Sequence, residues 1–215
     1  MQENSALIIV DLQNDFCGGG SLPVPGGDEI VPIINRLMGC FPLVVATQDW
    51  HPRNHVSFAS NHPGHKVGDI IEVGGLKQIL WPEHCVQGTF GADLHPELNR
   101  GKIHLTIYKG TDSEIDSYSG FFDNARRRST GLERELKERG IRRVYITGLA
   151  TDYCVKYTAL DALELGFETW LIAEACRGVN VEPSDVAKAL DQMRGAGVRL
   201  ITSEKLVAEI STGTV

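Results

Sequence analysis

The chain has 215 residues, of which 42% are hydrophobic and 23% are charged, a balance typical of a globular domain rather than of a disordered or fibrous chain. The net charge of −7, from 21 basic against 28 acidic residues, argues against nucleic-acid or anionic-membrane binding, because both need a positive surface. No stretch approaches the ~20 apolar residues that a membrane-spanning helix needs. The first residues, MQENSALIIVDLQ, lack the basic leader of a secretory signal. We therefore expect a cytoplasmic protein with a single domain over residues 1–215 and no membrane or nucleic-acid partner.

Short apolar runs rich in Val, Ile and Leu alternate along the chain with segments of helical spacing. The six runs predicted to be strands cover residues 6–10, 43–46, 103–108, 144–147, 168–172 and 198–201. The helices predicted between them cover residues 27–38, 130–140, 152–165 and 182–195. This alternation predicts a three-layer α/β/α domain of Rossmann-like type, with a mostly parallel six-stranded sheet covered on both faces.

The segment from Gln48 to Gly101 interrupts this alternation after the second predicted strand. It reads as irregular, and it contains six of the seven histidines together with Trp50 and Trp81. Long ordered insertions in compact domains are usually functional. We therefore expect this insertion to contribute to a site.

Four residues of different chemistry are predicted to meet at one edge of the sheet. Asp11 follows the first predicted strand, Asp49 the second and Lys109 the third, and Cys154 begins the helix after the fourth. In open parallel sheets the ligand binds at the carboxyl ends of the strands. The sequence therefore predicts an acid, a metal-type ligand, a cation and a thiol at a single site.

Cys154 is the candidate nucleophile among five cysteines, none of which forms a CxxC pair. Backbone amides in the first turn of a helix favour a thiolate and could hold an oxyanion. Asp11 could accept the thiol proton, and Lys109 beside it would keep the carboxylate ionised and favour a thiolate. The alternatives are that Cys154 is a structural cysteine, that Asp11 caps a helix or forms an ion pair, and that Lys109 points into solvent.

A metal site is predicted around Asp49 and His51, which alternate by two and so point to the same side of an extended segment. His84 is the natural second imidazole, His55 is the rival ligand, and Ser57 could contribute through its oxygen or a water. A carboxylate with two imidazoles leaves open positions on one divalent cation. Zn²⁺ is favoured, with Fe²⁺ or Mn²⁺ as alternatives.

Several segments resemble one family over about residues 6–203, nearly the whole chain. The matching segments are VDLQNDF (10–16), ATQDWHPRNHVSF (46–58), WPEHCV (81–86), KG (109–110), DSYSGFFDN (116–124) and GLATDYCVKYTALDA (148–162). They resemble the nicotinamidases of the isochorismatase-like hydrolase superfamily. The DWHPRNH and WPEHC pair is more specific than the Asp, Lys and Cys pattern, because relatives that cleave other substrates generally lack this metal site.

The resemblance implies an isochorismatase-like fold with a metal-binding insertion after the second strand, and it implies roles by position. In the resemblance, Cys154 is the nucleophile, Asp11 the proton shuttle and Lys109 their electrostatic partner. The amides of Ala150 and Cys154 form the oxyanion hole, with a cis peptide bond between Leu149 and Ala150. Asp49, His51 and His84 bind the metal, and Phe16, Trp81 and Tyr118 form the walls around a pyridine ring.

The activity that the resemblance implies is hydrolysis of nicotinamide to nicotinate and ammonia through a thioester, in NAD salvage. Pyrazinamide is expected to react as an isostere. One alternative is another carbon–nitrogen hydrolase that acts on a carbamoyl or ureido acid. The other is a metal-binding or redox-sensing module without turnover. Homo-oligomer formation stays open, because helices that cover a sheet and helices that form a dimer look alike.

Overall fold

The computed structural model describes residues 4–212 and centres on a six-stranded sheet. Its order is β5-β2-β1-β6-β7-β8, and every neighbouring pair is parallel. A separate antiparallel hairpin, β3–β4, lies in the insertion. The strands are β1 Ser5–Val10, β2 Leu43–Asp49, β3 Ile70–Val73, β4 Leu76–Ile79, β5 Leu105–Lys109, β6 Arg143–Leu149, β7 Glu168–Arg177 and β8 Arg199–Ile201.

Within residues 4–212, five α-helices accompany the strands: α1 Val31–Leu37, α2 Leu132–Glu138, α3 Lys156–Glu164, α4 Asp185–Ala196 and α5 Ser203–Thr212. The four predicted helices correspond to α1 through α4. The first is shorter than expected because 3₁₀ turns at Gly27–Ile30 and Met38–Cys40 flank α1. The helix α5 was not predicted.

The two faces of the sheet carry separate apolar clusters. Helices α1 and α5 pack on one face, where Leu7 and Ile9 of β1 point, and helices α2, α3 and α4 cover the other face, where Ile8 and Val10 point. All four of these side chains are fully buried. Each such burial contributes about 1.5–3 kcal/mol. The three-layer α/β/α prediction is therefore confirmed.

The prediction that the insertion is irregular is wrong at β3–β4. Gly74 and Gly75 have φ values of 57° and 81°, and they join two strands that pair antiparallel. A two-residue turn with positive φ at both positions suits the twist of a hairpin, and glycine adopts it without steric cost. The Gly-Gly pair between IIEV and LKQI was therefore a usable signal.

The parallel arrangement brings the ends of β1, β2, β5 and β6 to one edge of the sheet. At Gly148 in β6, φ is 111°, and a Cβ would lie 2.0 Å from the carbonyl oxygen of Val10 in β1. Only glycine allows these two strands to approach so closely where they leave the sheet. None of the helices within residues 4–212 is both long and apolar enough to cross a membrane.

Candidate active site

Lys109 brings the three predicted catalytic side chains together. It ends β5, two strands away from β1, and its long side chain reaches across β2. Its Nζ lies 2.8 Å from Oδ2 of Asp11 and donates to Sγ of Cys154 at 3.3 Å. All three residues are buried. The predicted convergence of thiol, carboxylate and ammonium is therefore observed.

The turn that carries Cys154 connects β6 to α3. Residues Thr151–Val155 form a π-helical turn, and the carbonyl of Ala150 accepts the N–H groups of Tyr153 and Val155. The peptide bond between Leu149 and Ala150 is cis. Ala150 and Cys154 both line the pocket described below.

Asp11 is oriented by Thr47. The hydroxyl of Thr47 donates to Oδ1 of Asp11 at 2.6 Å, and the amide of Asp11 donates to the Thr47 carbonyl at 3.2 Å. The other carboxylate oxygen, Oδ2, makes an ionic contact with Lys109 but no aligned hydrogen bond within residues 4–212. Its lone pair is therefore available to accept a proton from a neighbouring group.

Burial and the neighbouring charges together set the pKa values of the three catalytic candidates. It raises the pKa of Cys154 well above its usual value, and Lys109 offsets only part of this effect. Burial also raises the pKa of Asp11 to about 6, against the opposing charge of Lys109. For Lys109, burial lowers the pKa, but Asp11 and Asp49 raise it by more. Lys109 therefore acts in the predicted direction, because it lowers the pKa of the Cys154 thiol and so favours the thiolate, although burial raises that pKa by more.

A second cluster of Asp49, His51 and His84 lies beside these groups. One candidate ligand atom from each lies within 4.8 Å of the others, and all three residues are buried. Nδ1 of His51 bonds to the carbonyl of Gly110 at 2.8 Å, and Nδ1 of His84 bonds to the carbonyl of Pro82 at 2.7 Å. Because a carbonyl only accepts, both Nδ1 atoms donate, and in the neutral rings both Nε2 atoms keep a lone pair.

These residues fit a divalent cation. A carboxylate oxygen and two imidazole nitrogens, each imidazole oriented through its other nitrogen, are a donor set typical of zinc sites with open positions. Burial and the neighbouring His51 lower the pKa of His84 to about 4, which keeps its Nε2 free to bind a metal. The predicted set of Asp49, His51 and His84 is therefore brought together.

His55 and Ser57 lie next to this cluster rather than within it. The amide of Ser57 donates to Nδ1 of His55 at 3.3 Å, and Oγ of Ser57 lies 2.7 Å from the same nitrogen. Because Nδ1 accepts an N–H, the neutral ring carries its proton on Nε2. That Nε2 has no hydrogen-bond partner in the described part of the chain. Burial and the proximity of His51 lower the pKa of His55 to about 4.

A pocket of about 420 Å³, counting its open mouth, opens over Cys154. The three aromatic residues predicted for it all line it, and Nε1 of Trp81 donates to the hydroxyl of Tyr118 at 3.3 Å. The complete lining is Phe16, Leu22, Val24, Asp49, Trp81, His84, Asp116, Tyr118, Ala150, Tyr153, Cys154 and Val179. Its apolar walls and few polar groups are typical of a small-molecule site.

Known proteins share this arrangement of sequence and fold. A family model described as the isochorismatase domain matches residues 5–205. A curated nicotinamidase from Acinetobacter baylyi is 49% identical over 204 residues, 95% of each chain. The structure of a nicotinamidase and pyrazinamidase from Acinetobacter baumanii has a TM-score of 0.93 at 49% identity and covers 96% of this chain and 99% of its own. A pyrazinamidase from Pyrococcus horikoshii, solved in complex with zinc, is 40% identical with a TM-score of 0.73 and covers 93% and 99%.

The chain belongs to the isochorismatase family. The matched residues include every segment that contributes a side chain to the triad, the Asp49 cluster and the pocket.

Gln13 orients the backbone at the isochorismatase-family site, and sequence reasoning did not identify it. Nε2 of Gln13 donates to the carbonyls of Asp49 and Ala92, both at 2.8 Å, and its Oε1 accepts the amide of Asp49 at 2.8 Å. Gln13 is fully buried, so its hydrogen bonds fix the backbone that presents the Asp49 carboxylate. It lies in the motif VDLQNDF, but nothing in the sequence alone indicates its partners.

The pocket also contains residues to which the sequence assigned no role. Leu22, Val24 and Val179 complete its apolar wall, and Tyr153 packs edge-on against Trp81 with ring centroids 5.1 Å apart. Val179 comes from the loop after β7, where the carboxylate of Asp152 accepts its amide at 3.0 Å. These contacts join segments far apart in sequence, so spacing could not reveal them.

Proposed function

We propose that the chain hydrolyses nicotinamide to nicotinate and ammonia and also deamidates pyrazinamide. The observation that carries this proposal is the position of Lys109 Nζ between Asp11 and Cys154, 2.8 Å and 3.3 Å away, beneath an aromatic pocket. The curated relative and the two solved relatives support the choice of substrate, because their names are those of nicotinamidases and pyrazinamidases.

The first half of the reaction forms a thioester. Oδ2 of Asp11 takes the thiol proton of Cys154 as Sγ attacks the carboxamide carbon. Lys109 stabilises the sulfur as negative charge develops on it, which compensates for the raised pKa of the buried thiol. The carbon–nitrogen bond then breaks, and Asp11 gives its proton to the departing ammonia. General acid–base transfer of this kind is worth about 10² to 10⁴-fold in rate.

The second half releases the acid. Asp11, again ionised, accepts a proton from a water molecule that attacks the thioester carbon. The carbon–sulfur bond breaks, and the proton returns from Asp11 to the sulfur of Cys154. In both tetrahedral intermediates the amides of Ala150 and Cys154 would hold the oxyanion. Each half of the reaction leaves the Asp11 carboxylate ionised, as the next half requires.

Asp49, His51 and His84 would hold one divalent cation, with Zn²⁺ favoured. When bound, such a cation would act as a Lewis acid that orients the substrate through its ring nitrogen. The zinc complex of the Pyrococcus horikoshii relative supports this part of the proposal. Phe16, Trp81 and Tyr118 would enclose the ring and place the carboxamide over Cys154.

Ammonia release from nicotinamide tests the proposal. Wild type and Cys176→Ala should release ammonia at similar rates, because Cys176 is a buried cysteine outside the pocket. Cys154→Ala should lose at least about 10³-fold in kcat. Release at the wild-type rate from Cys154→Ala would overturn the assignment of the nucleophile.

A further inference from the structure

Asp116 is a buried carboxylate that the proposed reaction does not use. It lies in the long connection between β5 and α2 and lines the same pocket as Asp49 and His84. Its Oδ2 accepts Nε2 of Gln78 at 3.1 Å, and its Oδ1 accepts the amide of Ser117 at 2.7 Å. Burying a carboxylate is costly unless its charge is compensated, so this position requires an explanation.

Asp116 faces the histidines of the proposed metal centre. One carboxylate oxygen of Asp116, one ring nitrogen of His51 and one ring nitrogen of His55 lie within 4.8 Å of one another. Nε2 of His55 is fully buried, carries a proton and has no hydrogen-bond partner within residues 4–212. The ring of His55 therefore carries an unpartnered donor and lies close to a buried carboxylate, and the two residues border a polar niche that suits a bridging water. The niche borders the Asp49 cluster through the shared His51.

The net charge of the buried groups balances that of one divalent cation when Asp116 is counted. Metal binding requires ionised carboxylates and neutral imidazoles, and in that state Asp11, Asp49 and Asp116 contribute three negative charges and Lys109 contributes one positive charge. The remaining two negative charges equal the charge of one divalent cation. Without Asp116, the same cluster with its cation would keep one uncompensated positive charge in a buried place.

We propose that Asp116 is a positioning residue that supplies the second compensating negative charge of the metal centre from outside the set of Asp49, His51 and His84. It acts on the bound cation through the His55 niche rather than as a direct ligand. The inference rests on the proposed function, because it takes the cation site at Asp49 as given. Gln78 and Ser117 hold the carboxylate at a fixed position, so its contribution is electrostatic and does not require a shift of the chain.

Zinc affinity of the metal-depleted protein tests the inference. A chromophoric chelator of known affinity competes with wild type, Asp116→Asn, Asp116→Glu and Asp123→Asn. Asp123 is the matched control, because it is buried in the same connection but, in the part of the chain that the structure describes, its carboxylate accepts only the backbone amides of Ala125, Arg127 and Arg128. We expect Asp116→Asn to weaken zinc binding by about 10 to 100-fold, the range typical of groups just outside a ligand shell. Asp116→Glu should recover most of this loss, and Asp123→Asn should bind zinc like wild type.

The outcomes separate the inference from the proposed function. If wild type binds no divalent cation, the proposed metal site fails and the inference fails with it. If wild type binds zinc and Asp116→Asn binds it equally well, the inference alone is overturned. Equal weakening by Asp123→Asn would also overturn it, because the effect would then belong to any buried charge in this connection.

Kinetics and folding complete the test. The zinc concentration that gives half-maximal ammonia release should rise in Asp116→Asn by the same factor as the loss of zinc affinity, whereas a residue that acted only on the reacting atoms would lower kcat and leave that concentration unchanged. Thermal unfolding of the metal-free proteins reports folding, and Asp116→Ser serves as a second variant if Asp116→Asn does not fold. If neither variant folds, Asp116 is a structural residue and the proposal is wrong.

Discussion

The ammonium of Lys109 lies 2.5 Å from Oδ1 of Asp49, and this ion pair joins the triad to the candidate metal cluster. Lys109 also donates to the carbonyl of Ser117 at 2.9 Å. Although burial acts to raise the pKa of Asp49, Lys109 and His51 lower it by more, so the carboxylate stays ionised for a cation. One lysine therefore sets the charge state of both halves of the site.

Replacing Lys109 should damage stability and activity together. Lys109→Met leaves Asp11 and Asp49 without their buried partner, which should cost about 3–5 kcal/mol in the free energy of unfolding. It should also lower kcat by about 10²-fold or more, because the developing thiolate loses its cation. Denaturant unfolding and ammonia release measure the two effects. The exposed Lys102 provides the control, and a Lys109→Met protein as active as Lys102→Met would contradict the role of Lys109.

The pH dependence of kcat/KM should report Asp11. Its pKa is raised to about 6, so the carboxylate is ionised above that pH and becomes protonated as the pH falls through it. Only the ionised form can accept the thiol proton, and activity should therefore fall on the acid side with a midpoint near pH 6. Thr47→Val removes the hydroxyl that donates to Asp11 and should move this midpoint to higher pH. A profile flat from pH 7 to pH 4.5 would exclude Asp11 as the base.

Gly110 should be essential for the orientation of His51. Its φ is 62°, and a Cβ there would lie 2.3 Å from Cε1 of the His51 ring, although its carbonyl must stay close to accept Nδ1. Gly110→Ala should therefore lose bound zinc, as measured by elemental analysis after gel filtration. In Gly195→Ala nothing lies within 4 Å of the new methyl group, so zinc content should not change. Full zinc content in Gly110→Ala would contradict the proposed role of His51.

Phe16 should contribute to substrate binding. Its ring lines the pocket, and its centroid lies 5.5 Å from that of His84. Phe16→Ala should lower kcat/KM for nicotinamide by about 10-fold, since truncating a buried aromatic wall removes roughly 1–2 kcal/mol of contact. Phe90 is 73% exposed and outside the pocket, so Phe90→Ala is the matched control. Equal kcat/KM values for the two variants would remove Phe16 from the binding wall.

The sequence predicts the parts of this molecule that depend on local pattern. The apolar runs identify all six strands of the sheet, and the rule that ligands bind at carboxyl ends places Asp11, Asp49, Lys109 and Cys154 together. The length of β7 was underestimated, because its last five residues include Glu174, whose carboxylate accepts the amide of Ser203. A charged residue in a strand reads as a loop until its distant partner is known.

Burial and long-range contacts account for what the sequence could not predict. The raised pKa of Cys154 depends on the summed burial around it, and a motif carries no information on that sum. The tautomer of His55 depends on the Ser57 amide, and the position of Asp116 depends on Gln78, which lies 38 residues away. Spacing reveals which groups meet at the sheet edge, whereas their protonation follows from the packing that surrounds them.

The most direct measurement is mass spectrometry of protein mixed with nicotinamide and quenched in acid within milliseconds. The account predicts that wild type gains the mass of one nicotinoyl group on the peptide that contains Cys154, and that Asp11→Asn gains little or none. A nicotinoyl group on another residue, or steady-state turnover by Cys154→Ala at the wild-type rate, would contradict it.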